Sequence, residues 1–197
     1  MKLKRHLFPL AMVVAVGVFF AGLTIAHAEG GDDGSGDGGS TAVCQSDEND
    51  QGEDANDQGE DVQGDQQGDE IDGTEADDQL DGNAGDDDVQ GDDGNDDICG
   101  DQGDDELDGG SGDDVITGGP GDDVENGQAG DDVVIGNGDD DTLTGGAGQD
   151  VVSGKGGNDT INVRHHGRDK VSCGRGHDVV KASHNDKVAS NCEVVKH

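Results

Sequence analysis

Gly109-Gly110-Ser111-Gly112-Asp113-Asp114-Val115-Ile116-Thr117 is the stretch from which the rest of the chain can be read. Its first six residues are turn formers. Glycine reaches positive φ and lets backbones approach closely, while Asp and Ser bond to nearby backbone groups. The last three, Val-Ile-Thr, favour a pleated strand. In a strand alternate side chains face opposite ways, so Ile116 is expected to point inward and Val115 and Thr117 outward. One inward residue in nine cannot make a core, so a unit of this kind must be stacked on others.

The sequence supplies the others. Glycine recurs every nine residues from Gly64 to Gly154, at Gly73, Gly82, Gly91, Gly100, Gly109, Gly118, Gly127, Gly136 and Gly145 between them. Aspartate keeps the same step at Asp69, Asp78, Asp87, Asp96, Asp105, Asp114, Asp123, Asp132, Asp141, Asp150 and Asp159. Two residues after each Asp stands a branched aliphatic: Ile71, Leu80, Val89, Ile98, Leu107, Ile116, Val134, Leu143, Val152 and Ile161. The exception is Glu125, which occupies the apolar slot of its unit. Eleven units in phase at these positions are a repeat architecture, not low-complexity coil. A less regular unit, Ala55–Gln63, precedes them.

Stacked turns of this composition offer carboxylate and carbonyl oxygens, several to a site, on short mobile loops. Hard cations with six to eight oxygen ligands suit such a donor set, and calcium suits it better than magnesium, whose geometry is stricter. Without counterions, so dense a stack of carboxylates would repel itself apart.

The unit resembles the RTX (repeats-in-toxin) nonapeptide, G-G-x-G-x-D-x-U-x with U a large aliphatic, most fully at Gly109–Thr117, Gly118–Asn126 and Gly145–Ser153. The resemblance implies an all-β fold, a right-handed parallel β-roll or β-helix solenoid with two units per turn. It implies calcium ions, several of them, held between each turn and the turn two units on. Carried over by position, the carboxylate ligands would be the eleven aspartates from Asp69 to Asp159. Carbonyl ligands would come from residues such as Gly110, Gly112, Gly119, Gly121, Gly146 and Gly148. There are departures. The second glycine is replaced by Asp65, Thr74, Asp92 and Asp101, and the fourth-position glycine by Gln67, Ala76 and Asp139. The roll, spanning residues 55–162, is therefore expected to be firmest from Gly82 to Asn162.

Outside the repeats, composition sets the compartment. The 197-residue chain carries a formal charge of -37, and all three Phe lie in its first twenty residues, with no Trp or Tyr. Lys2, Lys4 and Arg5 precede an apolar run, Leu7–Ile25, and the cleavage pattern Ala26-His27-Ala28, so residues 1–28 read as a signal peptide. Export to an extracellular location follows, with no membrane span after cleavage. Residues 29–54 read as a disordered, acidic Gly/Asp-rich linker. Between residues 29 and 154 there are 43 acidic side chains and no Lys or Arg. A polyanion of this kind repels nucleic acid and anionic membranes and attracts cations.

Residues 163–197 reverse the charge, with four acidic and seven basic side chains, and read as a basic C-terminal cap. The Asp-x-Val element persists at Asp169, Asp178 and Asp186. This segment is similar to the closing part of bacterial secreted calcium-binding repeat proteins, D-x-V-x-C-G-x-G-x-D-x-V…C-E-x-V. Cys173 and Cys192, 19 residues apart, are close to one two-unit coil and could pair; Cys44 and Cys99 could form a second pair, and the connectivity stays open. His165, His166, His177 and His184 have no metal-site spacing and read as solvated cap residues. No H-E-x-x-H or G-x-S-x-G occurs, and no stretch outside linker and repeats is long enough for a catalytic domain, so the expectation is a binding protein and not an enzyme. The alternatives are a C-terminal RTX-type secretion or stabilising module related to secreted hydrolases or cytolysins, an acidic surface or matrix adhesin with an unidentified cell-surface or matrix partner, and a disordered acidic calcium buffer.

Overall fold

The computed structural model describes residues 59, 61–165 and 167–196. Among them there is no helix; the nine-residue period is spent on alternating turns and strands. One parallel sheet takes β1 (Asp61–Gln63), β3 (Gln79–Asp81), β5 (Asp97–Cys99), β7 (Val115–Pro120), β9 (Val133–Gly138), β11 (Val151–Gly156), β13 (Lys170–Arg175) and β15 (Lys187–Val188) in that order. The other takes β2 (Glu70–Asp72), β4 (Asp88–Gln90), β6 (Glu106–Asp108), β8 (Val124–Asn126), β10 (Thr142–Thr144), β12 (Thr160–Val163), β14 (Val179–Ala182) and β16 (Val194–Lys196). Successive strands thus go to opposite sheets, and each coil of the solenoid holds two repeat units.

Register follows from the period. Ile98 pairs with Leu80 on one side and Ile116 on the other, and Leu107 stands between Val89 and Glu125. The inward residue of every unit is thereby stacked on its equivalent one coil away, and the two ladders meet in the core. Ile71, Leu80, Val89, Ile98, Leu107 and Ile116 are all buried, as are their successors to Val180. Val62, in the irregular unit that precedes the eleven, packs against the same core. Val115 is 40% exposed, as its outward position predicts. Thr117 is not: with Asp81 and Cys99, its register partners, it is buried despite its outward place in the alternation.

The sheets do not stop at Asn162. Val151 pairs with Lys170 and Thr160 with Val179, one residue beyond the ordinary step, because Asp159 and Asp169 are ten residues apart. β13 to β16 then extend both sheets, and a disulfide joins Cys173 to Cys192. Cys44 lies outside the described residues, as do the signal segment and the whole of the acidic linker, residues 29–54. No helix of the described residues is long and apolar enough to cross a membrane.

A core one residue deep on each side makes every inward residue matter. We expect Leu107→Ala to lower stability by about 2–5 kcal/mol, the cost of a buried leucine truncated in tight packing. Val115→Ala should change it by less than about 0.5 kcal/mol. Urea unfolding at saturating calcium compares the two; equal losses would contradict the inward and outward assignment.

Candidate metal centre

The turn that precedes each strand is shaped by its glycines. Gly112 has φ +140, and a Cβ there would overlap the Gly94 carbonyl oxygen one coil earlier. Gly110, at φ +95, stands likewise against the Asp92 carbonyl, and Gly146, at φ +104, against that of Gln128. Turns of successive coils therefore stack backbone on backbone, with carbonyl oxygens directed at the next glycine. Gly119, Gly121 and Gly148 repeat this arrangement.

The sixth-position aspartates are buried in the same stack. Asp78 and all of its successors to Asp159 are at most 4% exposed, whereas Asp69, at the start, is only half-buried. From Asp87 onward each Oδ1 accepts the N–H of the equivalent Asp one coil earlier: Asp69 donates to Asp87 at 2.7 Å, Asp87 to Asp105 at 2.8 Å, Asp105 to Asp123 at 2.9 Å and Asp114 to Asp132 at 3.0 Å. The second oxygen has no such partner. Oδ2 of Asp87, Asp96, Asp105, Asp114, Asp123 and Asp132 is buried and makes no hydrogen bond, and the same holds at Asp141, Asp150, Asp159 and Asp178. An unpaired buried carboxylate oxygen is costly, and a stack of them more so.

Two aspartates in the series differ. In the first two turns the second-position N–H swings onto the carboxylate: Asp65 donates to Asp69 Oδ2 at 2.7 Å and Thr74 to Asp78 Oδ2 at 2.6 Å, with the Thr74 hydroxyl at 3.0 Å. The cause is position four. Turns whose second position takes the left-handed conformation, as at Asp92 (φ 70) and Asp101 (φ 68), have Gly94 and Gly103 in positive φ two residues on. Gln67 and Ala76 stand there in the first two turns and do not adopt it. Asp139 does, at φ 73, as the short side chain of Asp permits. So the substitution at Asp139 is harmless to the turn, while those at Gln67 and Ala76 remodel it.

Burial sets the protonation of the orphaned carboxylates. Desolvation, reinforced by the charges of stacked aspartates and opposed by the backbone N–H, pushes Asp96, Asp105, Asp150 and Asp159 up to about 6. The same causes push Asp123 and Asp132 to about 7 and Asp141 to about 8. Only Asp150 has a positive neighbour, His165, whose charge opposes the rise weakly. Among the described residues no three His, Cys, Asp or Glu side chains converge into a ready-made metal cluster. A cation here would have to be shared between carboxylates and turn carbonyls. Oxygen donors with buried, unpaired carboxylate atoms fit a hard divalent ion, and calcium in particular.

Two features were not foreseen from the sequence. Fifth-position residues form a second, exposed ladder of opposite polarity, in which the later residue donates: Asp113 N–H to Asn95 Oδ1 at 2.9 Å, Asp131 to Asp113 at 2.8 Å. Asp169 and Asp178 continue the buried series, accepting from Asp150 and Asp159, and Glu193 then takes the place of Asp by accepting from Asp178. Their Asp-x-Val signature was visible in the sequence. Of the histidines, His165, His177 and His184 are exposed and form no shared cluster, and His166 lies outside the described residues.

Comparison with known proteins agrees with this geometry. The family described as RTX calcium-binding nonapeptide repeat (4 copies) matches residues 63–98, 100–124 and 126–161. No curated protein matches the chain.

Proposed function

Because the chain belongs to the RTX calcium-binding nonapeptide repeat family, we propose that it is an extracellular calcium-binding protein whose roll folds as calcium enters the stacked turns. The carrying observation is the row of buried Oδ2 atoms that make no hydrogen bond. The ions would sit between a turn and the turn one coil on, held by the carboxylates of Asp87, Asp96, Asp105, Asp114, Asp123, Asp132, Asp141, Asp150 and Asp159 with carbonyls such as those of Gly112, Gly121 and Gly148. Asp69 and Asp78, already capped by backbone N–H groups, would contribute least. Calcium that binds only the folded chain adds about 1.4 kcal/mol of stability per site for each tenfold rise above its dissociation constant. Low intracellular calcium would then leave the polyanion unfolded, and higher extracellular calcium would fold it.

Export is supported by the signal-like residues 1–28 and by the Cys173–Cys192 disulfide, which persists in an oxidising compartment. Residues 163–197 would act as a cap, closing the calcium-dependent coils with a covalent clamp. Binding, and not catalysis, is the role this reading assigns.

Far-UV circular dichroism during a CaCl2 titration tests it. Strand signal should rise cooperatively by millimolar calcium, and a chain that stays coil at that concentration would sink the proposal in favour of an acidic buffer. Asp132→Asn should move the midpoint to about tenfold higher calcium, while Asp69→Asn should leave it within about twofold. Equal shifts would show that the first turn binds like the others.

A further inference from the structure

Glu125 fills the inward slot of β8, between Leu107 of β6 and Leu143 of β10. The unit has no other irregularity: Gly118, Gly119, Gly121 and Asp123 all stand where the repeat requires. The side chain is fully buried, and neither carboxyl oxygen makes a hydrogen bond. Burial first, then the charges of Asp141, Asp123 and Asp159, hold it well above the usual carboxylate range, opposed only by the nearby backbone N–H of Gly118, which makes no bond of full hydrogen-bond geometry to it. The apolar ladder itself offers such a group no donor, so an aliphatic in this slot would be the stabler filler.

Its direction is informative. A methyl group placed on Gly118 would stand 2.6 Å from Glu125 Oε1 and closer still to Asp123 Oδ2. The glutamate therefore reaches out of the hydrophobic ladder to the same glycine that faces the orphaned oxygen of Asp123. Asp123 just before β8 and Glu125 at its centre, two residues apart, both turn inward to Gly118, so their carboxyls are neighbours. Two buried carboxyl groups with unsatisfied oxygens share one cradle, and elsewhere in the repeats each first-position glycine faces one carboxylate only.

We propose that Glu125 is an additional calcium ligand, joining Asp123 at the Gly118 cradle to make a two-carboxylate site that binds more tightly than the one-carboxylate turns. The inference rests on the calcium-binding reading above. Because no three acidic side chains converge there, the remaining ligands are backbone oxygens of the stacked turns. Ligand charge count is one of the means by which oxygen sites set their calcium affinity. The site would be the first to fill, near the middle of the repeat array, from which ordering could spread to coils on either side.

The test is calorimetric titration of the full chain with CaCl2, comparing wild type with Glu125→Gln, which keeps the shape, and Glu125→Leu, which restores the aliphatic slot. The wild type should show one site at least tenfold tighter than the rest, and both variants should lack it. Infrared spectra at pH 5, where the calcium-free chain keeps its fold, should show a protonated carboxyl band in the calcium-free wild type that is absent from Glu125→Gln and disappears on filling that site. Coincident titration curves for the three proteins, or a protonated band assigned by its loss in Glu125→Gln that survives calcium saturation, would overturn the proposal and make Glu125 a neutral core residue. Should one variant fail to fold, the other and the wild-type infrared titration decide. A wild type that binds no calcium at all would overturn the family-wide reading along with this one.

Discussion

Removing calcium at pH 8.5 should abolish the strand signal, and lowering the pH of the same calcium-free sample to 5 should restore much of it. The sign follows from the direction of the shifts. Asp96, Asp105, Asp150 and Asp159 rise to about 6, Asp123 and Asp132 to about 7 and Asp141 to about 8 in the folded chain, from 3.8. Between about pH 4 and pH 8 the native state then binds more protons than the unfolded state, so calcium-free stability falls as pH rises through that window and levels off above it. Burial and the neighbouring carboxylates thus make ionisation of each of these groups unfavourable in the folded chain, and they act in the same direction at seven positions. Protons or cations must therefore neutralise the stack.

Calcium reverses the slope. With calcium saturating, the carboxylates stay ionised in the native state, and stability should be lost as falling pH lets protons compete for the oxygens. The two stability curves, with and without calcium, should converge towards acid and separate above neutrality. Calcium added at pH 5, where the calcium-free chain stays folded with protonated carboxyls, should release protons, and calcium added well above pH 8 should release few. A calcium-free chain equally folded at pH 5 and pH 8.5 would contradict the burial of these groups.

The sequence carried the fold almost completely because the fold is periodic. A step of nine with an inward aliphatic implies strands that alternate between two sheets, and Leu80, Ile98 and Ile116 stack as that step demands. The candidate site was legible in outline only. Asp65 and Asp92 occupy equivalent positions with the same side chain. Yet the first donates its N–H to Asp69, and the second turns left-handed and leaves Asp96 Oδ2 unpaired. What separates them is two residues on: Gln67 resists positive φ and Gly94 does not, a backbone effect that a motif read position by position does not weigh. The coil step that lengthens before Asp169 was hidden for a related reason. Gly157 and Gly167 are not spaced by nine, so the strict repeat ends where the sheets in fact continue. Glu125 was visible as an irregular rung, but its reach towards Gly118 is a matter of side-chain direction that spacing does not encode.

The stacking of turns predicts a large effect from a small substitution. Gly112→Ala should prevent the roll from closing at its coil, with a loss of more than about 3 kcal/mol. Two causes add: φ +140 is a conformation that alanine rarely adopts, and the new methyl would overlap the Gly94 carbonyl oxygen one coil earlier. Neither can be relieved by a side-chain rotation, since both partners are backbone. The displaced Gly94 carbonyl holds the same place in its unit as those of Gly112, Gly121 and Gly148, which calcium is proposed to use, so added calcium should rescue this variant poorly, unlike a simple loss of core packing. Gly138 provides the control: a methyl there would meet nothing within 4 Å and its φ needs no glycine. Gly138→Ala should stay within about 0.5 kcal/mol of the wild type. Thermal unfolding of the two variants at saturating calcium makes the comparison, and near-equal melting temperatures would mean that the turns are not stacked backbone on backbone.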